Sequence, residues 1–289
     1  LILLVELEIW PNFLISAYKK NIPVIIVNGR ISNRSLMAYR AISHISKDFR
    51  NSLTNEMNTY CARTEIDAQR FRDLGIPGKQ VFVTGTMKYD NIPTHIDENI
   101  SKGLAELFHI NDDDLVLIGG STHAGEEEIL IRVFEKLNEK YSNLKLIIAP
   151  RHIERTGDVS RLIEKMGFIP VLKTRLDGSN YNWQNRKKEI ILIDTVGDLE
   201  KIYSLSNYVF VGKSLVPSGG QNMMEPAGLG KPVVFGPHTF NFKEETGLLL
   251  KNSAAKMVGT EDELFKAIEF FIKNPDAAKE MGLKAQKVV

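Results

Sequence analysis

The sequence predicts an α/β protein made of two parallel-sheet domains. Three observations carry this. Short apolar runs rich in Val, Ile and aromatic residues alternate with helix-like patterns along almost the whole chain. These runs are apolar throughout rather than on alternate residues, as in strands covered on both faces. The alternation pauses at a polar, turn-prone stretch, Lys88 to Ser101 with Pro93 inside it, and then restarts. That stretch reads as an interdomain linker. Two such blocks in tandem predict two Rossmann-like domains facing each other across a cleft, residues 1–92 and 93–289.

In the first block the strands are Leu1–Val5, Val24–Val27, Thr59–Ala62 and Val81–Thr84. Helices fall at Pro11–Lys20, Asn33–Ile45 and Glu65–Leu74. Pro11 suits a first helical turn, and Gly75 with Pro77 suits a helix end. In the second block the strands are Leu115–Ile118, Leu144–Ala149, Ile169–Leu172, Ile190–Ile193, Tyr208–Val211 and Val233–Phe235. Helices are read at Gly125–Glu139, Val159–Met166, Leu199–Leu205 and Asn222–Leu229, with a polar insertion from Lys173 to Lys188 and a helical tail from Glu261. No internal repeat or low-complexity block interrupts the pattern.

A hydrophobic fraction of 43% and a charged fraction of 25% belong to a soluble globular chain. The formal net charge of +1 carries no electrostatic signal for nucleic acid. Cys61 is the sole cysteine, so no internal disulfide can form; a reducing compartment and a buried structural thiol are expected. The chain opens on an apolar run without an initiator Met. The reading is therefore an N-terminally truncated chain whose end at Val289 also falls inside a helix-like pattern, as a cut there would leave it. No run approaches the ~20 apolar residues of a spanning helix.

Ligands of such sheets bind at the carboxyl ends of strands, often against helix N-termini. Seven segments fall at those places. In Phe210 to Pro237, Gly219 and Gly220 would let backbone approach a phosphate, and the helix opening at Asn222 would favour an anion. Glu225 in its first turn could accept both hydroxyls of a ribose. This is the usual donor-binding layout of the GT-B glycosyltransferase fold. Arg151, after Ala149 and Pro150, could grip a phosphate in two-pronged fashion, while His152 could equally cap or pack. The turn Thr195 to Asp198 could offer its backbone to a base edge. Ser121, Thr122 and His123 end a strand before a helix, where the first two could also be plain helix caps. Arg30 and Arg34 could hold an anion or simply be solvated. Glu6 and Glu8 stand at a strand's carboxyl end, and Lys88 at another.

Read in order, VELEIWPN, NGRISNRS, GTMKYD, GGSTHAGEE, APRH, TVGDL and FVGKSLVPSGGQNMMEP resemble the 3-deoxy-D-manno-octulosonic acid (Kdo) transferases, glycosyltransferase family 30, across residues 5 to 226. Two positions depart from the family pattern: Gly is expected where Lys213 stands, and His where Gln221 stands. The resemblance implies inverting transfer of Kdo from CMP-Kdo to a lipid A precursor, lipid IVA, in lipopolysaccharide synthesis, with no bound metal and no cofactor. It makes the first domain the acceptor side and the second the donor side. Donor contacts carry over to Pro150 and Arg151, to Val196, Gly197 and Asp198, and to Asn222, Met223, Met224 and Glu225. Glu6, Glu8 and Lys88 match positions that support the transition state. The general base is expected on a glutamate upstream of Leu1, in a segment that also holds the membrane anchor and much of the acceptor site. The implied place is the cytoplasmic face of the inner membrane, and the chain alone is expected to be inactive.

The chemistry is consistent with those residue types. Kdo bears a carboxylate on its anomeric carbon and leaves a phosphate monoester, whose growing charge Arg151, Lys88 and the segment at Asn222 would stabilise. The acceptor hydroxyl must pass its proton to a carboxylate. Other readings are another GT-B nucleotide-sugar enzyme, such as a sialyl-type transferase or a UDP-sugar epimerase, and a non-catalytic nucleotide-sugar-binding relative. An NAD enzyme fits poorly, since no G-x-G-x-x-G follows a strand.

Overall fold

The computed structural model describes the chain apart from residues 7, 8, 177–180, 182, 184 and 186, and the side chain of residue 88. It divides into two compact units, Leu1–Asn91 and Ile92–Val289.

The first unit runs β1 (Ile2–Val5), α1 (Pro11–Lys19), β2 (Val24–Gly29), α2 (Asn33–Ile45), α3 (Lys47–Leu53), β3 (Thr59–Ala62), α4 (Glu65–Asp73) and β4 (Val81–Val83). The four strands pair in chain order and all in parallel. Hydroxyls start the helices: Ser32 accepts from the Ser35 N–H, Ser46 from Phe49 and Thr64 from Asp67. α2 spans the same residues as the helix read from the pattern, while α3 lay outside it; Ser46 ends one and caps the other, and the chain turns between them. The core is Leu14, Ile26, Phe49, Leu53, Tyr60 and Phe71, all 1% exposed or less. Asp67 is buried among them. It accepts from the Ile31 N–H at 3.1 Å and the Thr64 hydroxyl at 2.7 Å, and so ties the loop after β2 to the start of α4.

The second unit runs α5 (Glu98–Leu107), β5 (Leu115–Thr122), α6 (Glu126–Asn138), β6 (Leu144–Pro150), α7 (Thr156–Lys165), β7 (Ile169–Leu172), α8 (Lys173–Leu176), β8 (Glu189–Leu192), α9 (Leu199–Ile202), β9 (Tyr208–Val211), α10 (Met224–Gly228), β10 (Val233–Phe235), α11 (Lys243–Lys251), β11 (Ala255–Met257), α12 (Glu261–Lys273) and α13 (Pro275–Val288). Its strands order as β11-β10-β9-β5-β6-β8-β7, again all parallel. From β5 the chain lays β6 alongside, crosses to the edge as β7, returns to fill the gap between them with β8, and then lays β9 on the other side of β5. That reversal opens a crevice beyond the carboxyl ends of β5, β6 and β9, the usual ligand position in such sheets.

Several elements differ from the sequence pattern. β5 continues four residues past Ile118, because Gly119 and Gly120 keep the ladder while making room. A methyl group on Gly120 would stand 2.0 Å from the Tyr203 hydroxyl, so only glycine lets that fully buried ring close on the strand. The end of the stretch read as linker enters α5, where Asp97 accepts from the Asn99 N–H at 2.7 Å. α11 and the edge strand β11 also lay outside the pattern; β11 is three residues long with Lys256 at its centre.

Lys231, in the turn before β10, donates to the Ser204 and Ser206 carbonyls at 2.7 and 2.9 Å. Burial pushes its ammonium down to about 8 from the ordinary 10.5. A depressed folded-state value for a base means that stability is lost as pH falls through it and is fully present above the unfolded value. Urea-unfolding free energy should therefore rise as pH is taken from about 8 towards 10.5, and a Lys231→Met variant should flatten that rise; an unchanged slope would remove Lys231 as its source.

Candidate functional site

Two adjoining hollows open at the strand ends of the second unit, and both are walled by Ser121, Arg151, Gly197 and Leu199. The larger, about 380 Å³, adds Glu200, Gln221, Asn222 and Glu225. The smaller, about 120 Å³, adds Pro150, Ile153, Ile193, Thr195 and Val196. Seven residues singled out from sequence thus meet in one groove: Ser121, Pro150, Arg151, Val196, Gly197, Asn222 and Glu225. They lie at or after the ends of β5, β6, β8 and β9. A roomier hollow of about 610 Å³ lies beside β11, α12 and α13, away from these strand ends; Met257, Phe270, Phe271 and Met281 give it mainly apolar walls.

The two halves of the groove differ chemically. The smaller is edged by Pro150, Ile153 and Ile193, with Val196 84% exposed at its rim, a surface suited to the face of a flat ring. Gly197 has φ +89° and open space where a side chain would stand, so the backbone can be approached closely. Asp198 holds this turn. The Thr195 hydroxyl donates to it, and Lys173 lies 3.4 Å away; together they keep its carboxyl below the ordinary range.

The larger half is polar. Arg151 is exposed, and among the described residues its guanidinium has no hydrogen bond or ion pair. Only its backbone is tied, through an N–H donated to the Thr122 carbonyl at 3.0 Å. Asn222 works in two directions: its Nδ2 donates to Glu225 Oε1 at 3.0 Å, and its Oδ1 accepts the Met224 N–H at 3.1 Å. That second bond places Asn222 before the helix, so α10 starts at Met224 rather than at Asn222. Burial pushes the Glu225 carboxyl up; the Asn222 bond and the Arg151 charge draw it partly back.

The loop behind the groove is set by Glu126. Its carboxylate is fully buried and accepts four backbone N–H groups: His123 at 2.9 Å, Lys213 at 2.6 Å, Ser214 at 2.8 Å and Leu215 at 2.9 Å. The start of α6 is thereby bound to the loop after β9. Beside it, Glu127 takes two hydrogen bonds from Arg155, at 2.7 and 3.2 Å, and one from the buried Thr122 hydroxyl at 3.0 Å. Glu126, Glu127 and Arg155 were not singled out from sequence. The available signal was a pair of carboxylates in the first turn of a helix immediately after a glycine-bearing strand end.

Other residues of the sequence reading sit outside the groove walls. Met223 and Met224 are fully buried in the core. Gly219 and Gly220 have φ of +97° and +81°, and the Gly220 N–H is already donated to the Lys213 carbonyl at 2.7 Å, so the pair shapes the turn. His123 and His152 lie with ring centroids 6.2 Å apart. Thr122 serves Glu127 rather than a helix cap.

In the first unit, Arg30 is exposed just after β2, and Glu6 is exposed just after β1 with φ of 62°. Glu8 and the Lys88 side chain lie outside the described residues. A hollow of about 320 Å³ opens at the ends of β2, β3 and β4, walled by Asn28, Cys61, Thr84, Thr86 and Asp90 among others. Cys61 is half-buried on this wall rather than deep in the core, and burial still pushes its thiol up.

Residues 1–91 match the family model for 3-deoxy-D-manno-octulosonic-acid transferase (kdotransferase). The whole chain is 33% identical to the 3-deoxy-D-manno-octulosonic acid transferase of Haemophilus influenzae and spans 65% of that protein's length. Among solved structures, the C-terminal CMP-Kdo binding domain of WaaA from Acinetobacter baumannii aligns with a TM-score of 0.59 at 26% identity, over 66% of this chain and 98% of that one. UDP-GlcNAc 2-epimerase from Neisseria meningitidis, bound to UDP-GlcNAc, aligns with a TM-score of 0.56 at 17% identity, over 99% of this chain and 74% of that one. These neighbours identify the fold as GT-B.

Replacing Glu126 by Ala strands four buried N–H groups at once. The variant should lose roughly 3 kcal/mol of unfolding free energy in urea. A loss below ~1 kcal/mol would mean that the loop does not depend on this carboxylate.

Proposed function

The chain belongs to the Kdo transferase family, and from that premise we propose that its second unit binds CMP-Kdo and that the protein transfers Kdo to a lipid A precursor. The reading rests chiefly on one observation: an unpaired Arg151 guanidinium, a half-buried Glu225 carboxylate and the exposed Val196 share one groove at the strand ends of a parallel sheet. Each end suits one part of a cytidine monophosphate.

The cytosine would occupy the smaller half, against Pro150 and Val196, with its polar edge towards the backbone of Val196, Gly197 and Asp198. The Glu225 carboxylate would accept the ribose hydroxyls, held in place by the Asn222 amide. Arg151 would take the phosphate in a two-pronged contact, with Ser121 beside it. As the bond from phosphate to the anomeric carbon breaks, charge grows on the leaving phosphate, and the Arg151 guanidinium stabilises it where it develops. The acceptor hydroxyl attacks from the opposite face and inverts the centre, its proton passing to a carboxylate. Glu6, Glu8 and Lys88 are assigned to transition-state support and Arg30 to an anionic group of the substrate.

The acceptor in this proposal is lipid IVA, and the reaction uses neither metal nor cofactor. The work is placed at the cytoplasmic face of the inner membrane. No helix among the described residues is long and apolar enough to cross a membrane.

Calorimetric titration should show CMP displacing CMP-Kdo while UDP does not; preference for UDP would turn the reading towards a UDP-sugar epimerase. Replacing Arg151 by Ala should weaken CMP binding about 10-fold or more. In the complete gene product it should cut Kdo transfer to lipid IVA about 10²-fold, read as product mass over time. Near-normal transfer would strip Arg151 of its role.

A further inference from the structure

Three of the residues that line the larger hollow are charged: Arg151, Glu200 and Glu225. Arg151 and Glu225 are assigned to the phosphate and the ribose. Glu200 has no part in that assignment. It is exposed in the first turn of α9, and among the described residues its carboxylate has no hydrogen bond or ion pair.

The segment that carries Glu200 is fastened along its length. At its start Asp198 accepts the Thr195 hydroxyl and lies 3.4 Å from the Lys173 ammonium. In its middle the buried Tyr203 ring closes on Gly120 of β5. At its end Lys231 donates to the Ser204 and Ser206 carbonyls at 2.7 and 2.9 Å. The backbone at Glu200 is therefore held where it borders the hollow. Its charge reaches across to Glu225 and pushes that carboxyl up, more strongly than the Arg151 charge draws it down. Between unit charges the nearer one acts more strongly, so Glu200 belongs to the Glu225 end of the hollow rather than to the Arg151 end.

Two carboxylates facing one hollow repel each other, and such pairs gather at working sites. A ligand that brings hydroxyl donors turns the repulsion to use, because each carboxylate then has a hydrogen to accept. Glu225 by itself is only half open to a ribose. Its Oε1 already accepts from the Asn222 amide at 3.0 Å, which leaves Oε2 as its oxygen without a hydrogen bond among the described residues. Asn222 cannot make up the difference, since its own oxygen accepts the Met224 N–H at 3.1 Å. The two neighbouring hydroxyls of a ribose are two donors and call for two acceptors.

We infer that Glu200 is the second acceptor: it shares the ribose hydroxyl pair with Glu225 and makes the site select an intact ribose over a deoxyribose. The inference rests on the CMP reading of the groove and adds to it a contact on α9.

Three ligands separate this role from a solvated charge at the rim: CMP and its two monodeoxy analogues, each lacking one ribose hydroxyl. All three would be titrated calorimetrically into the chain and its Glu200→Ala variant. The wild-type chain should bind each analogue about 10-fold more weakly than CMP, the size of one lost charge-assisted hydrogen bond. Glu200→Ala should weaken CMP by a similar factor. It should leave unchanged the affinity for the one analogue that lacks the hydroxyl held by Glu200, and weaken the other analogue again. A carboxylate that merely repelled the anionic nucleotide would give the opposite sign, with CMP binding more tightly once it is removed. The inference is overturned if Glu200→Ala leaves CMP binding intact or strengthens it, or if all three ligands weaken by the same factor, as a general loss of structure would make them. A wild-type chain that did not bind CMP would refute the underlying CMP reading first, a result distinct from these.

Discussion

One buried carboxylate organises the groove of the second unit. Glu126 gathers four backbone N–H groups from two stretches of chain, His123 before its own helix and Lys213 to Leu215 after β9. A loop that leaves a central strand has no ladder to satisfy its amides, and an amide buried without a partner costs as much as a lost hydrogen bond. Glu126 supplies all four acceptors from one side chain, in a place that water does not reach. The loop is then stiff enough for Gly220 to close back on Lys213, which sets where Gln221, Asn222 and Glu225 emerge. The first unit uses the same device on a smaller scale. Asp67, in the first turn of α4, reaches back to the Ile31 N–H after β2, and Arg70 donates to the Ile31 carbonyl at 2.6 Å. In both units a first-turn carboxylate on one helix pins the loop that follows a different strand.

This division of labour explains why the groove's own charges stay available. Structural acids and bases are paired behind the wall: Glu127 with Arg155, and Asp198 with Lys173. Among the described residues, the groups facing the hollow are left unsatisfied or only partly satisfied, Arg151 without a hydrogen bond or ion pair and Glu225 with the Asn222 amide alone. An electrostatic site works by holding such groups in place before the ligand arrives, so that nothing must reorganise as charge moves. Keeping the scaffold's ion pairs separate from the site's lone charges is what that requires.

The sheet architecture was legible in the sequence because strands buried on both faces have few alternatives. Tyr208–Val211 and Val233–Phe235 are apolar at every position and were read to the residue. Short elements on the surface were less so. β11 is three residues long and carries Lys256 at its centre, and α5, although Ile100, Leu104 and Leu107 recur at helical spacing, begins inside the polar stretch read as a linker. At the site, residues that line the groove were legible because each sits at a strand's carboxyl end: Arg151 after β6, Gly197 after β8, Asn222 after β9. Glu126 was not, because its role depends on a loop 87 to 89 residues away that no local pattern connects to it. Met223 and Met224 show the reverse. They lie inside the most distinctive segment, yet their side chains fill the core beside it. A motif marks a stretch of chain, while the direction of each side chain is decided by the packing around it.

A crystal structure of the chain grown with CMP tests the central claim most directly. The account predicts the ribose hydroxyls within hydrogen-bond reach of the Glu225 carboxylate, the phosphate on the Arg151 guanidinium, and the loop from Lys213 to Leu215 unmoved on Glu126. A nucleotide seated elsewhere, or one that enters only after that loop leaves Glu126, would contradict it.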